Sequence, residues 1–147
     1  MTFSVCPMGQ HDIQALALLE RQCFSSPWSE AALREELDNP IALFLIARAE
    51  NGEVAGYIGL HLVAPEAFVD NLAVFEKYRR QGAARALLSA AAYHAKEKGV
   101  TRIALEVRKS NTAAQALYIK QGFVQDGYRP RFYEHPQEDA LLFSLAI

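Results

Sequence analysis

The alternation of apolar and polar positions divides the 147-residue chain into a series of short periodic segments. FSVCPM (3–8) predicts a first strand. Between Gly9 and Gln22 the apolar residues Ile13, Leu16, Ala17, Leu18 and Leu19 return at helical spacing. SSPWSEAALREELDN (25–39) predicts a second helix, with Ser26 as its cap, Pro27 in its first turn and Asn39-Pro40 as its stop. ALFLIARAENGEVAGYIGLHLV (42–63) is two apolar runs broken by Asn51-Gly52, a hairpin signature. A strand over 67–76 follows, then a helix from Gly82 to Lys98 closed by Gly99. TRIALEVR (101–108) alternates with period two, placing Ile103, Leu105 and Val107 on one face and Ala104 and Glu106 on the other. A helix over 111–121 is capped by Asn111 and ended by Gly122. Strands over 123–128 and 139–146 close the chain, with RPRFYEHPQE as the loop between them.

This order, β-α-α-β-β-β-α-β-α-β-β, predicts one α/β domain over residues 1–147, a mixed sheet with helices on both faces. Composition agrees: 51% hydrophobic and 22% charged residues describe a globular chain. A net charge of −2 excludes a broad cationic surface for nucleic acid, so any anion site must be local. The two cysteines, Cys6 and Cys23, form no CxxC pair and imply neither a disulfide framework nor a zinc site. The N-terminal stretch has no basic region leading into a long apolar run, and no stretch of 18 apolar residues occurs, so a cytoplasmic protein without membrane contact is expected. His11, His61, His94 and His135 are scattered, each at a predicted surface or helix end, with no metal expected.

YRRQGAARALLSAA (78–91) is the segment that asks for a ligand. A predicted strand is followed by a glycine turn and a firm helix. The first amides of a helix lack internal partners and its dipole makes that end positive, so an anion is the natural guest. Gly82 permits close approach of the backbone, and Arg79, Arg80 and Arg85 add charge suited to phosphate. Neither GxxxxGK[ST] nor GxGxxG is present, which excludes a nucleotide P-loop and weakens a dinucleotide fold. By pattern alone, a helix start with solvated arginines fits as well.

Arg79-x-x-Gly82-x-Ala84 resembles the Q/R-x-x-G-x-G/A motif of the GNAT acetyltransferases, with alanine at position 84 where glycine is commoner. LEVRKSNTAAQALYIKQGF (105–123) resembles that family's second conserved block. FSSPWSEAALREEL (24–37) and YEHPQEDALLFSL (133–145) resemble its branch that acetylates a ribosomal-protein N-terminus, although Phe132-Tyr133 stands where that branch often has Tyr-Tyr, and the loop before Glu138-Asp139 is short.

The resemblance implies a GNAT fold, with a mostly antiparallel central sheet and a splayed strand pair, and acetyl-coenzyme A (acetyl-CoA) as co-substrate. It implies that Arg79, Arg80, Gln81, Gly82, Ala83, Ala84 and Arg85 cradle the pyrophosphate. The main chain of Leu72, Ala73 and Val74 would pair with the pantetheine arm, and Asn111 would meet the same arm. Glu106 matches the general base and Tyr118 the general acid for the departing thiolate. Trp28, Tyr128, Phe132 and Tyr133 flank the acceptor side. On pattern alone Glu106 reads instead as a partner of Arg102 or Arg108, Tyr118 as a core-edge aromatic, Asn71 as a strand-edge residue, and Glu35, Glu36 and Asp38 as a solvated helix face. The implied reaction moves acetyl to the N-terminal α-amine of a protein, a ribosomal one by the branch. The alternatives are a small-molecule amine or lysine as acceptor, or a coenzyme A-binding module without turnover.

Overall fold

The computed structural model describes residues 2–147; Met1, the first residue of the predicted domain, lies outside them. The elements follow the predicted order: β1 (Ser4–Pro7), α1 (Ile13–Cys23), α2 (Glu30–Glu36), β2 (Ala42–Arg48), β3 (Val54–Val63), β4 (Glu66–Val74), α3 (Ala83–Glu97), β5 (Arg102–Arg108), α4 (Thr112–Lys120), β6 (Val124–Tyr133) and β7 (Glu138–Ala146). The seven strands form one sheet in the order β1-β2-β3-β4-β5-β7-β6. Every neighbouring pair is antiparallel except β4 and β5, which run parallel. On one face Leu87, Ala91 and Ala95 of α3 pack against Ile58, Leu60 and Leu105. On the other, Leu16 and Leu19 of α1 and Leu33 of α2 pack against Phe44, Ile46 and Tyr57. No helix among the described residues is long and apolar enough to cross a membrane.

Two predicted boundaries move. The second helix begins at Glu30, capped by Ser29, whose Oγ accepts from the Ala32 N–H at 3.0 Å, and not by Ser26. The reason is a tertiary bond: the Trp28 N–H donates to Oε1 of Glu20 at 2.8 Å, which ties the 24–28 segment to α1 and holds it out of the helix. The predicted loop over 129–138 is mostly strand. β6 continues to Tyr133, which pairs with Glu138, through register shifts on the way. β6 is an edge strand, so Pro130 costs no ladder bond.

The feature that shapes the site is a bulge in β4. The β3–β4 register runs Gly59↔Asn71 and then Leu60↔Val69, leaving Asp70 as an extra residue. Asp70 and Asn71 therefore both reach the α1/α2 face, Asp70 to His61 and Asn71 to Tyr57 and Glu20. Pairing of β4 with β5 extends only over Glu66–Phe68 against Arg102–Ala104, and stops two residues before the bulge. Beyond that point the two strands part. Gly59, opposite Asn71, is required by the core: a Cβ there would stand 2.7 Å from the Phe44 ring.

The bulge is anchored by a buried network. Glu20 is fully buried, and its Oε2 accepts from the Tyr57 hydroxyl at 2.6 Å and from Asn71 Nδ2 at 3.1 Å. Burial raises its carboxyl above the ordinary range, partly offset by the hydrogen bonds from Trp28 and Tyr57. A buried carboxylate that loses a donor bears the full desolvation cost. Tyr57→Phe is therefore expected to destabilise the fold by about 1.5–3 kcal/mol, read as a lower urea midpoint with an unchanged m-value.

Candidate active site

Two clefts open where β4 and β5 separate. The first, about 650 Å³, runs from Leu72 and Val74 past the 79–85 turn to Leu117 and Gln121 of α4. Its floor is the end of β4. The Phe75 N–H donates to the Ala55 carbonyl at 2.8 Å, so 55/75 is a hydrogen-bonded rung of the β3–β4 ladder. Hydrogen-bonded rungs alternate along an antiparallel pair, so 57/73 is the next. The backbone groups of Ala73 are thus turned to β3, and those of Leu72 and Val74 to the opening. Of the three residues expected to offer main chain to a ligand, Leu72 and Val74 can do so and Ala73 cannot. Arg79 Nε occupies the Val74 carbonyl at 2.9 Å and leaves its N–H to the cleft.

The turn has the geometry of an anion cradle. Arg80 and Gly82 are both left-handed, at φ 62° and 94°, and such a turn gathers backbone N–H groups into a concavity. Gly82 is the N-cap of α3 and has no side chain to cap with. The first bond of the helix runs from the Ala86 N–H to the Gly82 carbonyl at 3.0 Å, so the N–H groups of Ala83, Ala84 and Arg85 have no intrahelical acceptor. Arg85 folds over the turn, with Nη2 3.5 Å from the place of a Gly82 Cβ. Gln81 holds the Lys77 carbonyl through Nε2 at 2.9 Å, while its Oε1 is buried with no partner among the described residues. Free N–H donors and a waiting acceptor fit a diphosphate ester with further donor groups. The Arg79 side chain lines the same cleft but is already engaged. It is held by Val74 and, at 3.5 Å, by Sγ of Cys23.

The second cleft, about 500 Å³, lies on the α1/α2 side and is lined by Cys23–Ser26, the bulge, Glu106, Asn111, Phe132 and Tyr133 among others. The two clefts share Leu72, Ala114 and Tyr118. Tyr118 is 7% exposed and stands at the junction, packed on Phe123 and Phe143. Burial, and next to it the neighbouring Tyr133, push its hydroxyl pKa well above the ordinary tyrosine value. It stays protonated at neutral pH.

Glu106 projects from β5 on the α1/α2 side, its side chain 20% exposed. Its ion-pair partner is Arg129 of β6, at 3.5 Å, and not the expected Arg102 or Arg108. Those two are engaged elsewhere: Arg102 with Glu66 and Asp126, Arg108 with Glu138. Arg108 also stacks on the Tyr133 ring at 4.4 Å and reaches Oγ of Ser25 at 3.3 Å, closing one end of the cleft. The Tyr133 hydroxyl is pushed up to about 12, first by burial and then by Glu106.

Asn111 caps α4, its Oδ1 accepting from the Ala114 N–H at 3.1 Å, and lines the second cleft instead of the first. Phe132 and Tyr133 also line the second cleft. Trp28 does not; it packs on Phe44 at 5.7 Å and stacks on His61. Tyr128 is 62% exposed on β6, away from both clefts.

His61 and Glu36, expected at the surface, form instead a chain with Asp70. His61 Nε2 meets Glu36 at 2.8 Å, and its Nδ1 meets Asp70. The signal in the sequence was the pair Asp70-Asn71 interrupting the period-two pattern of AFVDNLAVF, which marks a bulge.

The sequence matches the model of the acetyltransferase (GNAT) family over residues 13–123. It is 37% identical over 141 residues to the putative [ribosomal protein bS18]-alanine N-acetyltransferase of Bacillus subtilis, covering 95% of this chain and 93% of that one. To the [ribosomal protein bS18]-alanine N-acetyltransferase of Escherichia coli K12 it is 34% identical over 138 residues, 92% of each chain. The crystal structure of the Escherichia coli ribosomal-protein-S18-alanine N-acetyltransferase superposes with a TM-score of 0.89 at 32% identity, over 99% of this chain and 94% of that one. The Arabidopsis thaliana NAA60 structure in complex with acetyl-CoA shares the fold, at a TM-score of 0.88 and 19% identity, over 99% of this chain and all (100%) of that one. The chain belongs to the GNAT family and is an acetyl-CoA-dependent N-acetyltransferase.

Proposed function

We propose that the protein acetylates the N-terminal α-amine of a protein, the N-terminal alanine of a ribosomal protein, in the cytoplasm, with residues 1–147 acting as one catalytic domain. The observation that carries this reading is the meeting, at Tyr118, of a cleft lined by the 79–85 turn and a second cleft with Glu106 on its wall. The relatives named for acetylation of the bS18 alanine support the choice of acceptor.

Acetyl-CoA supplies the activated acyl group as a thioester. Its diphosphate belongs at the Ala83, Ala84 and Arg85 amides with Arg80, Gln81 and Arg85, and its pantetheine arm belongs against the free backbone edge of Leu72 and Val74. The Val74 N–H, aimed at the opening, is placed to stabilise charge that develops on the acyl oxygen. Attack is direct, in a ternary complex, and proximity provides much of the acceleration.

Glu106 acts as general base. An α-amine has a pKa of about 8 and a glutamate about 4.3, so direct deprotonation is uphill by about 3.7 units. Proton removal through water, as the carbon–nitrogen bond forms, avoids that barrier. Tyr118 supports the departing sulfur. A thiol near pKa 8.5 is already more acidic than a free tyrosine near 10, and burial widens the gap. Tyr118 therefore donates a hydrogen bond to the thiolate and keeps its proton. The preference for an α-amine follows from ionisation: at pH 7 roughly one α-amine in ten is neutral, against one lysine in a few thousand.

Glu106→Gln is expected to lower kcat about 10²–10⁴-fold while the Kd for acetyl-CoA, by titration calorimetry, stays within about twofold. Tyr118→Phe removes a hydrogen bond to a charged group, worth about 1.5–3 kcal/mol or about ten- to a hundredfold in kcat. That deficit shrinks with acyl donors whose thiols are more acidic. Gly82→Ala forces a side chain into a left-handed position against Arg85, and is expected to weaken acetyl-CoA binding about tenfold or more with little change in the acceptor KM. The function itself is tested on a panel of an Ala-start peptide, an N-terminally blocked lysine peptide and spermidine. The peptide with a free alanine is acetylated fastest; a higher kcat/KM for spermidine or lysine overturns the reading.

A further inference from the structure

The second cleft is bordered by one carboxylate on each of the two diverging strands. The last paired rung of β4 and β5 is Phe68↔Ala104. Two residues further along each strand stand Asp70 and Glu106, and both line the same cleft. Period two places Glu106 on the face of Ala104, and the bulge places Asp70 on that face too, as its bond to His61 shows. The space an attacking amine must enter therefore lies between two carboxylates.

Their surroundings differ. Glu106 faces Arg129, which balances its charge. Asp70 faces His61 of β3, which in turn faces Glu36 of α2 at 2.8 Å. The other side chains packed on His61 are Trp28 and Phe44, which carry no charge. Even with His61 protonated, this trio keeps one net negative charge, and the Asp70 end of it is the one exposed to the cleft. Burial lowers the His61 pKa, but the bond to Glu36 and the charge of Asp70 outweigh it and leave it raised. The Asp70 carboxyl is raised by burial, with the His61 charge pulling back. Glu36 also accepts from Asn39 Nδ2 at 3.0 Å, so the chain of bonds is anchored at the end of α2.

An acceptor α-amine with a pKa of about 8 arrives mostly as ammonium at neutral pH. Glu106 alone, balanced by Arg129, offers it little attraction. We propose that Asp70 is the acceptor-binding residue that receives this ammonium, its carboxylate oriented by His61 and Glu36, and holds it across the strand gap from Glu106. The ammonium first loses one proton to solvent water, which frees the lone pair; the second proton, shed as the carbon–nitrogen bond forms, passes through water to Glu106, and coenzyme A leaves as the thiolate. This inference deepens the proposed function and rests on the acceptor entering the second cleft. It assigns a role to three residues that the general base and the thiolate donor leave unused.

The test is steady-state kinetics of Asp70→Asn on the same panel of free-alanine peptide, blocked lysine peptide and spermidine. For whichever amine the wild type turns over, the variant is expected to raise the acceptor KM about tenfold or more. The kcat stays within about threefold and the acetyl-CoA KM is unchanged. A peptide with its N-terminal alanine replaced by a propionyl group, which lacks the ammonium, serves as a competitor and is expected to bind variant and wild type equally. A purely structural role would weaken that competitor as well. Asp70→Ser gives the same readings should the asparagine variant not fold. An acceptor KM within about twofold of wild type, or equal losses for the amine and the propionyl peptide, overturns the inference. A wild type that prefers spermidine overturns the proposed acceptor instead, and the Asp70 reading is then decided on the spermidine KM.

Discussion

One extra residue in β4 controls the rest of the site. A strand paired on both sides has no backbone to spare for a ligand. With Asp70 bulged out, β4 keeps its ladder to β3 but leaves β5 after three rungs. The 57/73 rung still faces inward, so the groups at Leu72 and Val74 face a gap instead of a neighbour. That gap lets a ligand add to the sheet as a strand does while its far end reaches the N-terminus of α3. The base of the split is held shut by apolar pairs such as Ala67 and Ile103, both nearly fully buried.

The bulge carries a cost, because it directs two consecutive polar side chains to one face of the sheet. Each is met by a separate set of partners. Asn71 joins Glu20 and Tyr57 in the interior beneath α1, and Asp70 joins His61 and Glu36 near the end of α2. The two sets tie both α1 and α2 to the same pair of residues. The helices on the acceptor side are thus fixed by the distortion that opens the cleft. The buried set gives rigidity because the Glu20 carboxylate is met by three donors, from Trp28, Tyr57 and Asn71, the condition under which a buried carboxylate is tolerated.

Much of this could be read from the sequence and some could not. Periodicity identified the strands and helices because most have one buried face, as in β5, where Ile103, Leu105 and Val107 are all buried and Glu106 is not. The 79–85 turn stood out through the resemblance of Arg79-x-x-Gly82-x-Ala84, since by pattern alone a helix start with solvated arginines fitted as well. The partner of Glu106 was not legible, because Arg129 comes from β6, two strands away in the sheet, and is brought near only by the twist and register shifts of the edge hairpin. Trp28 looked like a groove residue, but the Trp28 N–H bond to Glu20 turns that segment inward and leaves the ring against Phe44. Register shifts and tertiary side-chain bonds leave no periodic trace, and the misplaced residues all depend on them.

The two clefts are opposite in charge, although the chain as a whole carries only −2. The donor cleft has Arg80, Arg85 and a helix N-terminus; the acceptor cleft has Asp70, Glu106 and Glu134, with Arg108 already engaged by Glu138. The separation matters because the reaction joins an anionic cofactor and a cationic amine, which must approach from different sides without exchanging places. Fields of this kind fall off over about 8 Å in physiological salt, so they act within each cleft and scarcely between them. Where the clefts meet, Tyr118 is the polar side chain shared by both, beside Leu72 and Ala114, and burial raises its pKa. Tyr118 is almost closed off from solvent there. On the proposed reading the amine, met by Asp70 and Glu106, and the anionic cofactor, met by the 80–85 turn, stay in their own clefts until they reach the shared residues.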